Sequence, residues 1–420
     1  MAVPSYGRRR QSDIYLAGTR GRKPRVPQDP VALERAARRK MSRVGFAYIA
    51  GGAGLETTMA ANRAAFERVR IVPRMLRNTS ARTLEIELYG RTLPAPILIA
   101  PVGALGLAHR DADVAVARAA AAERVPMIFS NQASCSMEEC VALMGDAPRW
   151  FQLYPSNSDE LVRSFLARAE RCGCEAVVVT LDTTSLGWRI RDLDLGFLPF
   201  LGAEGIAQYV SDPAFQRLVD VAPPPARGRM TPAALRALWR LSRRYPGSTW
   251  ENLRSPRPRL AVRTFLDVFA RPTMQWQDLA LVRDATRLPI LLKGILHPED
   301  ARLALEHGVD GIVVSNHGGR QIDGGLASLE ALPPILEVVD GRVPVLVDSG
   351  IRGGADVFKA VALGATAVLV GRPYCFGLGI AGEAGVREVL QNFIADFDIT
   401  LGLAGCKSVA EIGADCLVPV

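Results

Sequence analysis

From residue 94 onward, two hydrophobic patterns alternate along the chain. Short runs in which almost every position is apolar occupy 94–101, 125–130, 149–154, 176–182, 288–294, 311–316, 343–350 and 367–372. Between them, apolar residues recur at helical spacing in 111–124, 136–144, 158–173, 298–307, 328–339, 354–364 and within 383–402. A run that is apolar at every position reads as a strand buried on both faces, and helices between such strands imply parallel pairing. The pattern therefore predicts eight strands, the number that closes a (β/α)8, or TIM, barrel. An open doubly wound sheet would carry a G-x-G-x-x-G turn after its first strand. Pro101-Val102-Gly103-Ala104-Leu105-Gly106 lacks it.

Two regions fall outside this rhythm. Residues 1–30 are polar and rich in Arg, Gly and Pro, which predicts irregular structure, and 31–45 has helical spacing. We divide the chain into an N-terminal extension, 1–45, and one barrel domain, 46–420. Tyr48 stands just before a glycine turn, where pattern alone assigns it to packing. Residues 183–287 are too long for a simple strand-to-helix connection. They include Pro223-Pro224-Pro225 and helix-like stretches at 232–244 and 260–270. Because this insertion follows the C-terminal end of strand 4, it is expected to act as a partly mobile lid over the barrel mouth.

Composition narrows the classes. Hydrophobic residues make up 49% and charged residues 22%, an ordinary globular balance. The net charge of +8 comes from scattered arginines without aromatic interleaving, which fits an anionic small ligand and not nucleic acid. No apolar run of about 18 residues predicts a membrane span, and the N-terminus lacks a signal-like apolar region. A cytoplasmic location is expected. The seven cysteines show no zinc spacing and an odd count, so they are expected to be reduced.

In a barrel, the C-terminal ends of the strands converge on one mouth. Here they carry Pro101-Val102-Gly103, Ser130-Asn131-Gln132, Gln152-Leu153-Tyr154, Thr180-Leu181-Asp182, Lys293, Ser315 with His317 and Arg320, Asp348-Ser349-Gly350-Ile351-Arg352, and Gly371-Arg372. Polar and titratable groups close nearly every strand, as a binding mouth requires. His317 is suited to proton transfer near neutral pH, with Arg320 as a cationic fork three residues on. The glycines and arginines after strands 7 and 8 suit a phosphate. Lys293, buried at a strand end, reads equally as a Schiff-base lysine or as a cation beside an electron-rich ring. No second histidine or Cys/His cluster accompanies His317, so no metal is expected.

Ser315-Asn316-His317-Gly318-Gly319-Arg320-Gln321 resembles the signature of the FMN-dependent 2-hydroxy acid oxidases and dehydrogenases. Tyr48-x-x-Gly-Gly, Phe151-Gln152-Leu153-Tyr154, Thr180-Leu181-Asp182-Thr183, Leu292-Lys293-Gly294 and Asp348-Ser349-Gly350-Ile351-Arg352 extend the resemblance from about residue 42 to the C-terminus. Within the family, 187–193, 198–201, 209–213 and Gly103 look closest to the lactate 2-monooxygenases. The resemblance implies FMN across the barrel mouth, held by Pro101, Val102, Gly103, Ser130, Gln152, Thr180, Lys293, Ser315, Asp348, Ser349, Gly350, Arg352, Gly371 and Arg372, with Gly353 beside the phosphate. It implies His317 as general base oriented by Asp182, Lys293 as electrostatic support, and Arg189, Arg320, Tyr48 and Tyr154 as binders of a small 2-hydroxy acid. Oxygen as acceptor and a homotetramer or homo-octamer are implied as well. Two departures from the family pattern, Ser130-Asn131-Gln132-Ala133 and Thr184-Ser185-Leu186, point to an altered substrate pocket.

Overall fold

The eight apolar runs do form strands: β1 Ile97–Ile99, β2 Met127–Phe129, β3 Arg149–Leu153, β4 Val177–Thr180, β5 Ile290–Ile295, β6 Gly311–Val314, β7 Val345–Val347 and β8 Ala367–Val370. In this computed structural model, which describes residues 5–223 and 231–420, they pair in parallel and close as β7-β8-β1-β2-β3-β4-β5-β6. The architecture is a TIM barrel. Both faces of each strand are buried, which is why the runs show no polar alternation. Leu98, Ile128, Trp150, Val178, Leu291, Val313, Leu346 and Leu369 fill the barrel interior, while their alternate neighbours pack under the surrounding helices. Full burial of each such aliphatic side chain stabilises the fold by about 1.5–3 kcal/mol. A hairpin, Ile86–Leu88 with Arg91–Leu93, covers the base of the barrel, and its Tyr89 hydroxyl donates to Asp310 O at 2.8 Å. Only the opposite end is left for a ligand.

The N-terminal segment departs from expectation. Tyr6–Gly18 is a helix, because Gly7 packs against the last helix and its N–H donates to the buried Asp398 carboxylate at 2.7 Å. Arg82 donates to the same carboxylate at 3.0 Å and so fixes a third segment at that point. A polar sequence gains this helix by docking, which its own periodicity does not announce. Helix Arg43–Ala50 runs across the expected boundary at 45/46. Helix Leu279–Ala285 packs on Asp159–Arg171 as the outer helix between β4 and β5, so the excursion itself ends near 278. Within it, helices Pro232–Arg244 and Arg257–Val268 match the helical patterning. Pro224 and Pro225 lie outside the described residues. The final helix is longer than its pattern suggests, Arg372–Ala404, with a break at Ala381–Gly382. Among the described residues, no helix is long and apolar enough to cross a membrane.

Candidate active site

Strands β4, β5 and β6 bring three titratable side chains together. His317 Nδ1 lies 2.7 Å from Asp182 Oδ1, so that nitrogen carries the proton and donates, leaving Nε2 to accept on the open side. Lys293 Nζ donates to Ser315 Oγ at 2.8 Å and lies 3.4 Å from Asp348 Oδ2 and 3.7 Å from Asp182 Oδ2. Ser315 Oγ also accepts from His317 N at 3.0 Å, linking the lysine to the histidine turn. His317 itself has a left-handed backbone, φ 58°, a conformation a non-glycine residue adopts only when its surroundings impose it. Asp182 fits beside β5 because of Gly294: with φ 104°, a Cβ there would stand 2.8 Å from Asp182 Cβ. The same glycine carries the register shift between Lys293 and Ile295.

The charges support one another. Burial alone would raise Asp182, but His317 and Lys293 more than offset it and hold the carboxyl well below its ordinary range. Burial lowers Lys293, yet Asp348 and Asp182 reverse this, and the ammonium stays charged. For His317, burial wins over the attraction of Asp182, with Lys293 adding to the downward shift. The ring is therefore a free base at neutral pH. Tyr154 is pushed up to about 12 by burial and by Asp182, so its phenol remains a donor.

Above this cluster lies a cavity with about 940 Å³ of empty space, its open mouth included. Arg189, Arg320, Arg352 and Arg372 all line it. Burial is the main cause that drops Arg320 and Arg352 to about 10 and Arg372 to about 9, with repulsion added by Arg189 on Arg320, by Arg63 on Arg352, and by Arg320 and Arg352 on Arg372. Four guanidinium groups converging on one cavity favour anions there. At one end, Arg352 makes a single side-chain hydrogen bond among the described residues, to Ile351 O at 2.9 Å. Arg372 is less available than its sequence position implied: it donates to Ile49 O, Gly318 O and Gly51 O. At the other end, the Arg320 and Arg189 guanidiniums lie 4.9 and 5.9 Å from the centroid of the Tyr48 ring. Tyr48 is thus both buried packing and a wall of the cavity.

Not all of the residues expected at the barrel mouth face the cavity. Tyr48, Pro101, Val102, Gly103, Tyr154, Arg189, Lys293, His317, Arg320, Asp348, Ser349, Gly350, Arg352, Gly371 and Arg372 line the cavity. Ser130, Gln152, Asp182 and Ser315 are not part of that lining, Thr180 borders a neighbouring pocket that shares Tyr154 and Thr183, and Gly353 borders a groove under the N-terminal helix instead. Among the described residues, Gln152 Nε2 and Thr180 Oγ1 are buried without a hydrogen-bond partner. Buried polar groups are rarely left so, and these two suit a planar ring with polar edges laid across the strand ends. Anion-binding arginines at one end and unpartnered donors at the strand ends together fit FMN.

Sequence reasoning missed the tethers. Gln321 Nε2 donates to Asp182 O at 2.8 Å and Ser185 O at 2.9 Å, and its Oε1 accepts from Arg189 Nη2 at 3.0 Å. Arg191 donates to Glu56 Oε2 at 2.5 Å. These bonds pin the start of the insertion across the mouth. Asn62 and Asn316 exchange reciprocal amide bonds of 2.9 and 2.7 Å beneath the histidine turn. Asp323 accepts from Thr57 Oγ1, Leu55 N and Thr57 N at the start of helix Thr57–Glu67, and these bonds, the hydroxyl's first, lower it to about 2. Gln321 and Asn316 lie inside the motif around His317, so their positions were visible but their roles were not.

A profile described as FMN-dependent dehydrogenase matches residues 37–419. The chain is 39% identical over 408 residues to an FMN-dependent alpha-hydroxy acid dehydrogenase of Penicillium citrinum, covering 97% of this chain and 94% of the relative. It is 40% identical over 386 residues to an L-lactate oxidase of Lysinibacillus sphaericus, covering 92% and 91%. A crystal structure of mandelate oxidase with (S)-4-hydroxymandelic acid matches with a TM-score of 0.77 and 38% identity, over 93% of this chain and 98% of that one.

Proposed function

The chain belongs to the FMN-dependent dehydrogenase family, and from that premise we propose that it oxidises an L-2-hydroxy acid at the α-carbon with oxygen as acceptor. The observation that carries this reading is the Asp182–His317–Lys293 cluster lying under paired arginines at one end of the cavity. Arg189 and Arg320 are suited to the substrate carboxylate, since a guanidinium matches that planar anion. Tyr154, a protonated phenol, can donate to a substrate oxygen. His317 Nε2 accepts the proton the substrate gives up, and Asp182 stabilises the resulting imidazolium through Nδ1–H. Lys293 provides a fixed positive charge on the cavity wall. Bound FMN supplies the chemistry the side chains lack, acceptance of the substrate's two electrons and their transfer to oxygen. Arg352 and Gly371 would hold its phosphate, and Gln152 and Thr180 would meet its ring edge.

The finer reading is that of a lactate 2-monooxygenase-like enzyme, in which the keto acid stays under the insertion and is oxidatively decarboxylated. The tethers from Gln321 and Glu56 support retention. Gly103 supports it less than its subfamily resemblance suggests, because a Cβ there would lie 2.9 Å from Gln132 O, a packing reason for the glycine. The second reading is release of keto acid and hydrogen peroxide, which the L-lactate oxidase relative favours. Aerobic turnover of a 2-hydroxy acid panel, scoring keto acid, peroxide and decarboxylated acid together, separates them. Retention predicts the shortened acid with little peroxide. Keto acid and peroxide in equal amounts would establish the second reading. No oxygen uptake with any 2-hydroxy acid would refute oxygen as acceptor.

A further inference from the structure

One polar side chain on the cavity wall has no part in the chemistry above. Gln132, at the end of β2, is 6% exposed and lines the cavity. Its backbone is fixed: its N–H donates to Ser130 Oγ at 3.1 Å and its carbonyl accepts from Ala104 N at 2.9 Å. Its side-chain amide is not, and Nε2 is buried without a partner among the described residues. A glutamine amide has two donors and an acceptor, and burying it unpaired is a penalty that a leucine of similar size would avoid. The fold also makes room for it. A Cβ on Gly103 would stand 3.0 Å from Gln132 Cβ, so the glycine opposite leaves this side chain its space.

The surroundings say what the amide can meet. Ala133, the next residue, accepts from Ala207 N at 3.1 Å, which sets this wall against the insertion that also brings Leu186 and Arg189 to the cavity. Behind it, Glu204 accepts from Ser134 Oγ at 2.5 Å and pairs with Arg244 at 3.3 Å, so that carboxylate is already matched. The cations that line the cavity are matched to the substrate carboxylate, the phosphate and the catalytic cluster, so burying a second carboxylate beside the amide would cost its hydration without a partner charge. A neutral group is favoured.

We propose that Gln132 is a specificity-determining residue whose side-chain amide hydrogen-bonds a neutral polar group, a hydroxyl or amide, on the side chain of the 2-hydroxy acid. This rests on the cavity being a 2-hydroxy acid site. It selects side chains that carry such a group over plain alkyl or phenyl ones, because the analogue lacking it leaves the amide unpaired.

The holoenzyme tests this with matched pairs, lactate against glycerate and mandelate against 4-hydroxymandelate, by anaerobic flavin bleaching. Equilibrium binding of pyruvate against hydroxypyruvate gives a readout without turnover. The hydroxylated member should be preferred by about tenfold or more in at least one pair, and Gln132→Leu should abolish or invert that preference. Gln132→Asn, with its shorter amide, should retain part of it. Equal use of both members by the wild type overturns the proposal. So does a Gln132→Leu variant that loses both members in parallel, or that loses FMN with the preference unchanged. Absence of bleaching with every 2-hydroxy acid and of binding by every keto acid would instead overturn the reading beneath it.

Discussion

The rim of the barrel and the segment that covers it hold their functional side chains in different ways. At the rim, Asp182, Lys293 and Ser315 stand on or just past strands whose backbones are bonded to neighbours on both sides, and His317 is tied to them by bonds of 2.7 and 3.0 Å. Arg189 belongs to the start of the insertion, which Gln321 and Glu56 hold by a few polar contacts. Groups that move a proton need positions set to a few tenths of an ångström, and a closed sheet supplies that rigidity. A group that grips a substrate and releases a product works better on a segment that can open at small cost. The proton-transfer groups thus stand on the sheet, and Arg189 stands on a segment held by side-chain contacts.

Substitutions on either side of that division should have different signatures. His317→Ala should have the largest effect, a loss of about 10²–10⁴-fold in the rate of flavin reduction, with FMN still bound by absorbance. Loss of FMN instead would mean the histidine belongs to the cofactor site. Asp182→Asn comes next, with a loss of about 10²-fold in kcat/KM. It also shifts the pH profile. Because His317 must be unprotonated to act, and burial places its pKa below the ordinary 6.5, kcat/KM should be flat above that pKa and fall below it. Asp182 holds that pKa up, so its loss should move the acid limb to lower pH still. Arg320→Lys should raise KM about 10- to 100-fold, because a compact ammonium loses the two-point match to a carboxylate. A steady-state titration with substrate measures it. Smallest is Gln321→Ala, which loosens the cover: KM should rise about threefold with kcat nearly unchanged, as gating contacts are worth little individually. If Gln321→Ala cost as much as Asp182→Asn, the cover would be part of the catalytic frame and the division between the two regions would fail.

The barrel was readable because a parallel strand buried on both faces writes its apolar run directly into the chain. The site was readable to the extent that it sits at strand ends: His317, Arg320, Lys293, Asp348 and Arg352 all follow such runs. Tyr48 and Arg189 follow no barrel strand, and only resemblance to a known family pointed to them. Arg372 was visible as an anion ligand, but not its capture by the carbonyls of Ile49, Gly51 and Gly318.

By itself, the sequence determined the number of barrel strands, their parallel pairing and the residue types at their ends, because hydrophobic periodicity is a local property of the chain. The tertiary structure decided what meets what. Asp182 and His317 are 135 positions apart, and only closure of the barrel puts one carboxylate oxygen on one ring nitrogen. The helix Tyr6–Gly18 exists as a docked element because Asp398, 391 positions from Gly7, waits for its N-terminal turn. The unpaired amide of Gln132 likewise appears only when every nearby partner has been placed, since a missing hydrogen bond is a property of the packed molecule.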